Sequence, residues 1–443
     1  MNSKPFSRVA LRGDLIDFSA QPALEDPQST GVRVRPDHWL LIDGQRIVAV
    51  QAEAPGPDWP QEDHRGRWIL PGFIDTHVHS AQIDVIGAWG TQLLDWLNTH
   101  TFPAEARMAD EAHAQALSAL FLDSLLAQGT TSAMVFPTVH KHSVDALFAA
   151  AQARQMRLIT GKVLMDRHAP DFLRDDVAQA ERDCTALIER WHGQDRLAYA
   201  VTPRFAPTST PAQLAMAGGL MKAHPGLYMQ THVAENRDEV RWVAELFPEA
   251  RSYLDVYERF GLLGPRAMLA HGIWLDDEDR ALLRHSGAAL AFCPSSNLFL
   301  GSGLFDWAAA EATGTAVSMA SDVGGGTSLS MLRTLADGYK VQAMAGRHVS
   351  AWALLHAATR GAAQALGLAQ EIGALEPGLM ADVVVWDKAC TPLEARRQAV
   401  AQDVHDAVFA WITQGDDRHV VATWVAGGLR YRRAPSPGRQ SEA

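Results

Sequence analysis

His77 and His79 lie one residue apart at the end of the run Ile69-Leu70-Pro71-Gly72-Phe73-Ile74-Asp75-Thr76-His77-Val78-His79. An apolar, partly β-branched run of this kind reads as a buried strand. Side chains alternate along a strand, so residues two apart share a face and both imidazoles leave the carboxyl end on one side. Two converging neutral imidazoles make half of a divalent-metal site, with zinc the usual occupant. Three further runs end in ligand-type residues: 228–235 in His232 and Glu235, 267–272 in His271, and 316–322 in Asp322. A histidine satisfied within a core accounts for any one of them. It does not account for such residues at four strand ends in succession.

The elements that must position these groups alternate along the chain. Strands are predicted at 69–79, 130–136, 158–166, 197–205, 227–235, 267–271, 288–293 and 316–322, with helices at 111–128, 175–191, 211–223 and 238–247 among them. Thr210-Pro211 and Asn236-x-Asp238-Glu239 supply helix-start signals, a cap with a proline or acids in the first turn. Eight strands alternating with helices predict an α/β fold, a (β/α)8 TIM barrel, whose catalytic groups come from strand carboxyl ends. Both chain ends read as short strands with turns, at 9–18, 32–42, 47–51, 381–386 and 420–431, and are expected to pair as a small β-sandwich beside the barrel. The expected division is 1–68 and 371–433 for the sandwich, 69–370 for the barrel, and 434–443 for a polar, disordered tail.

Composition narrows the class. The chain has 443 residues, 47% hydrophobic and 20% charged, with 13 Trp and 15 Phe, enough for a large core. A net charge of −12 argues against a nucleic-acid groove but not against a single nucleobase as ligand. Cys184, Cys293 and Cys390 are too few and too widely spaced for a disulfide framework. Cys293 ends an apolar run and reads as a packing residue. Residues 1–12 lack the apolar stretch of a signal peptide, and no window approaches a membrane span. These features lead to the expectation of a soluble, cytoplasmic protein.

The ordered set of His-x-His on the first strand, His on the fifth and sixth, and Asp on the eighth resembles the amidohydrolase superfamily over almost the whole chain. Within it the similarity is to the guanine deaminase family. It rests on His79-Ser80-Ala81-Gln82, Leu94-Asp95-Trp96-Leu97 followed by Thr101-Phe102-Pro103-Ala104-Glu105, and Pro203-Arg204-Phe205. It continues through residues 232–240, Cys293-Pro294-Ser295-Ser296-Asn297-Leu298, and Ser321-Asp322-Val323-Gly324-Gly325-Gly326 with Ser330-Met331-Leu332.

The resemblance implies one zinc ion, with iron as the alternative, held by His77, His79, His232 and Asp322. A catalytic zinc keeps an open position and lowers the pKa of a bound water toward neutrality. Asp322 would also take that water's proton. Glu235 would act as general acid on a purine ring nitrogen; an acid in the first turn of a helix is its plainer reading. His271 would bind the attacking water or complete the metal shell. Gln82 and Arg204 would read the purine edge, Phe205 would stack on the ring, and Trp89, Leu94 and Trp96 would form walls. Lys162 falls midway along the third strand, and Arg204 takes the fourth-strand end where two-metal relatives carry a carbamylated lysine. That favours a single metal. The implied partner is a purine base, guanine, in a homodimeric enzyme. Deamination of a triazine, a pterin or an adenosine-like nucleoside, or a barrel acting as a non-catalytic scaffold, are the alternatives.

Overall fold

The protein is described from a computed structural model covering residues 8–89 and 93–434, with only the backbone of Leu93 and Leu94. Two sheets organise it. The barrel sheet runs in the order β13-β12-β11-β10-β9-β7-β6-β5, with the short β8 added beside β9. Its strands are β5 (Phe73–His79), β6 (Thr130–Phe136), β7 (Arg157–Thr160), β8 (Val163–Leu164), β9 (Leu197–Pro203), β10 (Tyr228–Val233), β11 (Ala267–His271), β12 (Ala289–Phe292) and β13 (Val317–Met319). Every paired neighbour is parallel. The seam between first and last strands is held by the Asp322 N–H on the His77 carbonyl at 2.9 Å and the His79 N–H on the Val323 carbonyl at 2.7 Å. The expected eight-stranded barrel is therefore present.

The second sheet joins both ends of the chain as one seven-stranded layer, in the order β16-β15-β14-β4-β1-β2-β3. Here β1 is Val9–Phe18, β2 Val32–Asp43, β3 Arg46–Gln51, β4 Gln61–Pro71, β14 Val383–Asp387, β15 Val420–Val425 and β16 Gly428–Arg432. The sheet is mixed, since β1 and β4 pair in parallel and the others antiparallel. Val9, Leu11, Leu15, Leu40, Ile42, Val383 and Val385 fill its own small core, while the main core surrounds the barrel strands and their helices.

Two predicted strands are each divided in the structure. The run 69–79 changes sheets at Gly72, whose N–H donates to the Asp382 carbonyl of the end sheet at 2.9 Å. A Cβ at Gly72 would lie 2.2 Å from Thr131 Oγ1, so only glycine lets the chain cross here. The run 158–166 is interrupted at Gly161–Lys162. A Cβ at Gly161 would lie 1.8 Å from the Ala200 carbonyl oxygen. Lys162 is buried and paired with Asp175.

The helix that follows β10, Arg237–Leu246, begins as the sequence predicts. Asn236 is its N-cap and Glu239 completes a capping box. Glu239 Oε2 accepts the N–H groups of Glu235 at 2.9 Å and Asn236 at 3.1 Å, which fixes the backbone carrying Glu235 just past the strand end.

Candidate active site

The strand ends bring His77, His79, His232 and Asp322 together, with one ligand atom of each lying within 4.8 Å of the others. His77 Nε2 and His79 Nε2 are 3.3 Å apart, as are His79 Nε2 and His232 Nε2. Asp322 Oδ1 lies 3.2 Å from His77 Nε2 and 3.3 Å from His79 Nε2. His232 donates its Nδ1–H to the Arg204 carbonyl at 2.7 Å, which turns its Nε2 lone pair toward the cluster. His79 Nδ1 is buried without a partner among the described residues. Phe136 underlies the group, its ring centroid 4.9 Å from those of His77, His79 and His232.

Protonation suits a cation. Burial holds His77 down at about 4 and His232 well below its ordinary value, so both rings are neutral at pH 7. Burial alone would raise Asp322, but His77 and His79 hold its carboxyl well below the usual carboxylate range. Neutral imidazoles beside a carboxylate are the donor set a divalent ion needs, and the spacing suits ligands about 2.0–2.1 Å from a shared centre. These four residues fit one metal ion.

Beside the cluster, His271 gives its Nδ1–H to Asn297 Oδ1 at 2.9 Å. Its Nε2 lies 3.4 Å from Glu235 Oε2 and 3.7 Å from Asp322 Oδ2. Burial lowers His271, yet the adjacent Glu235 and Asp322 outweigh it and hold the ring above its ordinary value. Burial pushes Glu235 up to about 7, His271 opposing and Glu239 and Asp322 assisting. Ser302 Oγ donates to Glu235 Oε1 at 2.8 Å, and Ser296 Oγ to Asp322 Oδ2 at 2.6 Å. Ala234, His271 and Asp322 have φ of 47°, 71° and 49°, so the backbone is strained where three of the strands end.

A cavity opens onto these groups, lined by Gln82, Trp96, Leu97, Arg204, Phe205 and Leu300 as well as Glu235, Glu239 and His271. Phe205 is buried and meets Trp242 edge-on, with centroids 6.4 Å apart. Trp96 is buried, and its Nε1–H donates to the Ala88 carbonyl at 3.1 Å.

Trp89 is not a wall. It is 81% exposed and absent from the cavity lining, although its backbone carbonyl meets His100 Nε2 at 2.8 Å. The side chain of Leu94 lies outside the described residues. Cys293 is fully buried, its thiol on the Ala291 carbonyl and pushed up by burial, in keeping with a packing residue.

Several contributors have no role in the sequence reading. Glu105 accepts from both Arg204 and Gln82. Asn297, Ser296 and Ser302 orient His271, Asp322 and Glu235. Glu105, Ser296 and Asn297 stand in the very segments that carry the family resemblance. The signal available for Glu105 was the need of any buried arginine for a counter-charge.

A family model described as the amidohydrolase family matches residues 68–430. The chain is 44% identical over 440 residues to the guanine deaminase of Escherichia coli (strain K12), covering 98% of this chain and 100% of that protein. The solved E. coli guanine deaminase superposes with a TM-score of 0.93 at 43% identity, over 96% of this chain and 100% of that one. A guanine deaminase from C. acetobutylicum, with guanine bound in its active site, superposes with a TM-score of 0.86 at 25% identity, over 96% of this chain and 100% of that one. With the model spanning the barrel and much of the end sheet, this chain belongs to the amidohydrolase family.

Proposed function

We propose that the protein is a guanine deaminase, converting guanine and water to xanthine and ammonia. The observation that carries this reading is one cavity lined by His79, His232 and Asp322 of the metal-fitting set and by Gln82 and Arg204, in a chain similar to guanine deaminases over nearly its full length. The C. acetobutylicum structure, with guanine in its active site, supports the same substrate.

His77, His79, His232 and Asp322 would hold one zinc ion, with iron as the alternative metal. When bound, zinc supplies Lewis acidity that brings the pKa of a water toward neutrality. Asp322, its Oδ2 fixed by Ser296, takes the proton of the attacking water. Glu235 is buried and held protonated up to about pH 7, so it can donate to N3 of the purine, which makes C2 electrophilic. The Glu235 carboxylate left behind then takes up the proton of the new C2 hydroxyl and passes it to the amine as the C2–N bond breaks, which leaves the C2 oxo group of xanthine. His271 turns Nε2 toward the space between Glu235 and Asp322, where it stabilises the oxygen adding to C2. Arg204 and Gln82 present N–H groups to the acceptor edge of the ring, and Phe205 packs on its face.

The proposed setting is purine-base breakdown in the cytoplasm by a homodimer, which sedimentation of the purified protein tests. No described helix is long and apolar enough to cross a membrane. The activity itself is tested by incubating zinc-loaded protein with guanine and following the loss of absorbance and the release of ammonia. Turnover is expected; none at full zinc occupancy rejects the assignment.

A further inference from the structure

Glu105 sits in the short helix Phe102–Ala106, is 1% exposed, and is absent from the cavity lining. It reaches the cavity only through two residues that do line it. Arg204 Nη1 donates to its two carboxylate oxygens at 2.8 and 2.7 Å, and Gln82 Nε2 donates to Oε1 at 2.9 Å. We infer that Glu105 is a positioning residue that sets substrate specificity, by holding Gln82 and Arg204 as hydrogen-bond donors toward an oxo group on the ring. The inference rests on the deaminase reading above.

The argument is one of donors and acceptors. A carboxamide can present either its oxygen or its NH2 to a ligand, so a free glutamine discriminates poorly between an oxo and an amino substituent. Gln82 has no such freedom. Its Oε1 accepts the N–H of Gly324 at 3.2 Å, and a backbone amide can only donate. Its Nε2 faces Glu105, and a carboxylate can only accept. Turning the amide over would set oxygen against carboxylate and NH2 against N–H, breaking both bonds in a buried place. On the NH2 group held by Glu105, what remains for a ligand is the second Nε2 proton, a donor, while the spare lone pair of Oε1 stays on the atom held by Gly324.

Arg204 is fixed in the same way. The guanidinium carbon lies 5.3 Å from the centre of the Phe102 ring, and among the described residues Glu105 is its only hydrogen-bond acceptor. Its remaining N–H groups are donors too. Glu105 also cancels the charge of Arg204, so the wall suits a neutral oxo group and not an anion. Phe102 and Glu105 come from one helix, which delivers both the ring and the carboxylate to Arg204.

The test compares guanine with 2,6-diaminopurine, which keeps the amine at C2 and replaces the oxo group at C6 by a second amine. Wild-type protein should favour guanine by several orders of magnitude in kcat/KM, since sites that hydrogen-bond a substrate group discriminate by about 10⁴–10⁵. Glu105→Gln offers a donor where only acceptors stood, which frees Gln82 to turn. The guanine-to-diaminopurine ratio should then fall by at least about tenfold, mainly through KM for guanine, with zinc content unchanged. Glu105→Asp keeps the charge but withdraws the acceptor by one methylene, and should give an intermediate ratio. A ratio within about twofold of wild type in Glu105→Gln would overturn the inference. Should that variant not fold, an unchanged ratio in Glu105→Asp overturns it equally. Wild-type protein inert toward guanine would reject the deaminase reading and this role together, whereas active wild type with unchanged ratios rejects only the role of Glu105.

Discussion

Asp322 donates its backbone N–H to the carbonyl of His77 at 2.9 Å, and its own Oδ1 lies 3.2 Å from the Nε2 of that same histidine. One pair of residues thus joins the last barrel strand to the first and supplies two of the four atoms that fit a metal. An ion bound there would cross-link the barrel at its seam.

Stripping the metal with a chelator should therefore abolish deamination and also lower the melting temperature, and zinc should restore both. A ligand present at about 1,000 times its Kd stabilises the native state by about 4 kcal/mol. Thermal melts and ammonia release on the same samples check this. Chelated protein, verified metal-free, with unchanged melting and full activity would contradict it.

Glu235→Gln should retain bound metal, because Glu235 is not among the four clustered residues. The carbonyl of the amide can still accept from Ser302, while the transferable proton is gone. The expected loss is about 10²–10⁴-fold in kcat. Metal analysis beside steady-state kinetics decides it, and loss of metal in step with activity would show that the role has been misassigned.

Arg204→Ala should raise KM for guanine and also destabilise the protein, since it leaves the buried Glu105 carboxylate without its counter-charge, held by Gln82. Breaking a buried pair on one side costs about 3–5 kcal/mol. The double variant Arg204→Ala with Glu105→Gln should unfold at a higher urea concentration than Arg204→Ala by itself. Simple additivity of the two changes would exclude coupling between these groups.

His356 offers a pH test away from the site. It is 5% exposed, and burial, with Arg360 adding to it, lowers it from 6.5 to about 4. Its unfolded form binds a proton more readily than its folded form. The contribution is thus complete above pH 6.5 and is lost as pH falls toward 4, amounting to about 3 kcal/mol. His356→Gln should flatten the fall in urea midpoint across that window relative to wild type. Parallel wild-type and variant curves would show that His356 does not contribute.

Much of the barrel was legible because its signals are local. Alternation along a strand places His77 and His79 on one face whatever the rest of the chain does. The cap at Asn236 and the proline at Pro211 mark helix starts within a few residues of themselves. His232, His271 and Asp322 were found because each ends its own apolar run. The division of 69–79 at Gly72 was not legible, since it depends on Asp382 and Thr131, far along the chain. Trp89 looked like a wall because its residue type suits one, but exposure is a property of the packed molecule.

From its own order of residues, then, this protein determined the alternating elements and the ligand-type groups at their ends, because side-chain periodicity and capping act over a few residues. Only the tertiary structure decided which of those groups share a centre and which buried charge faces which. Arg204 and Glu105 stand 99 positions apart, and only folding, not spacing along the chain, brings them within a hydrogen bond of one another.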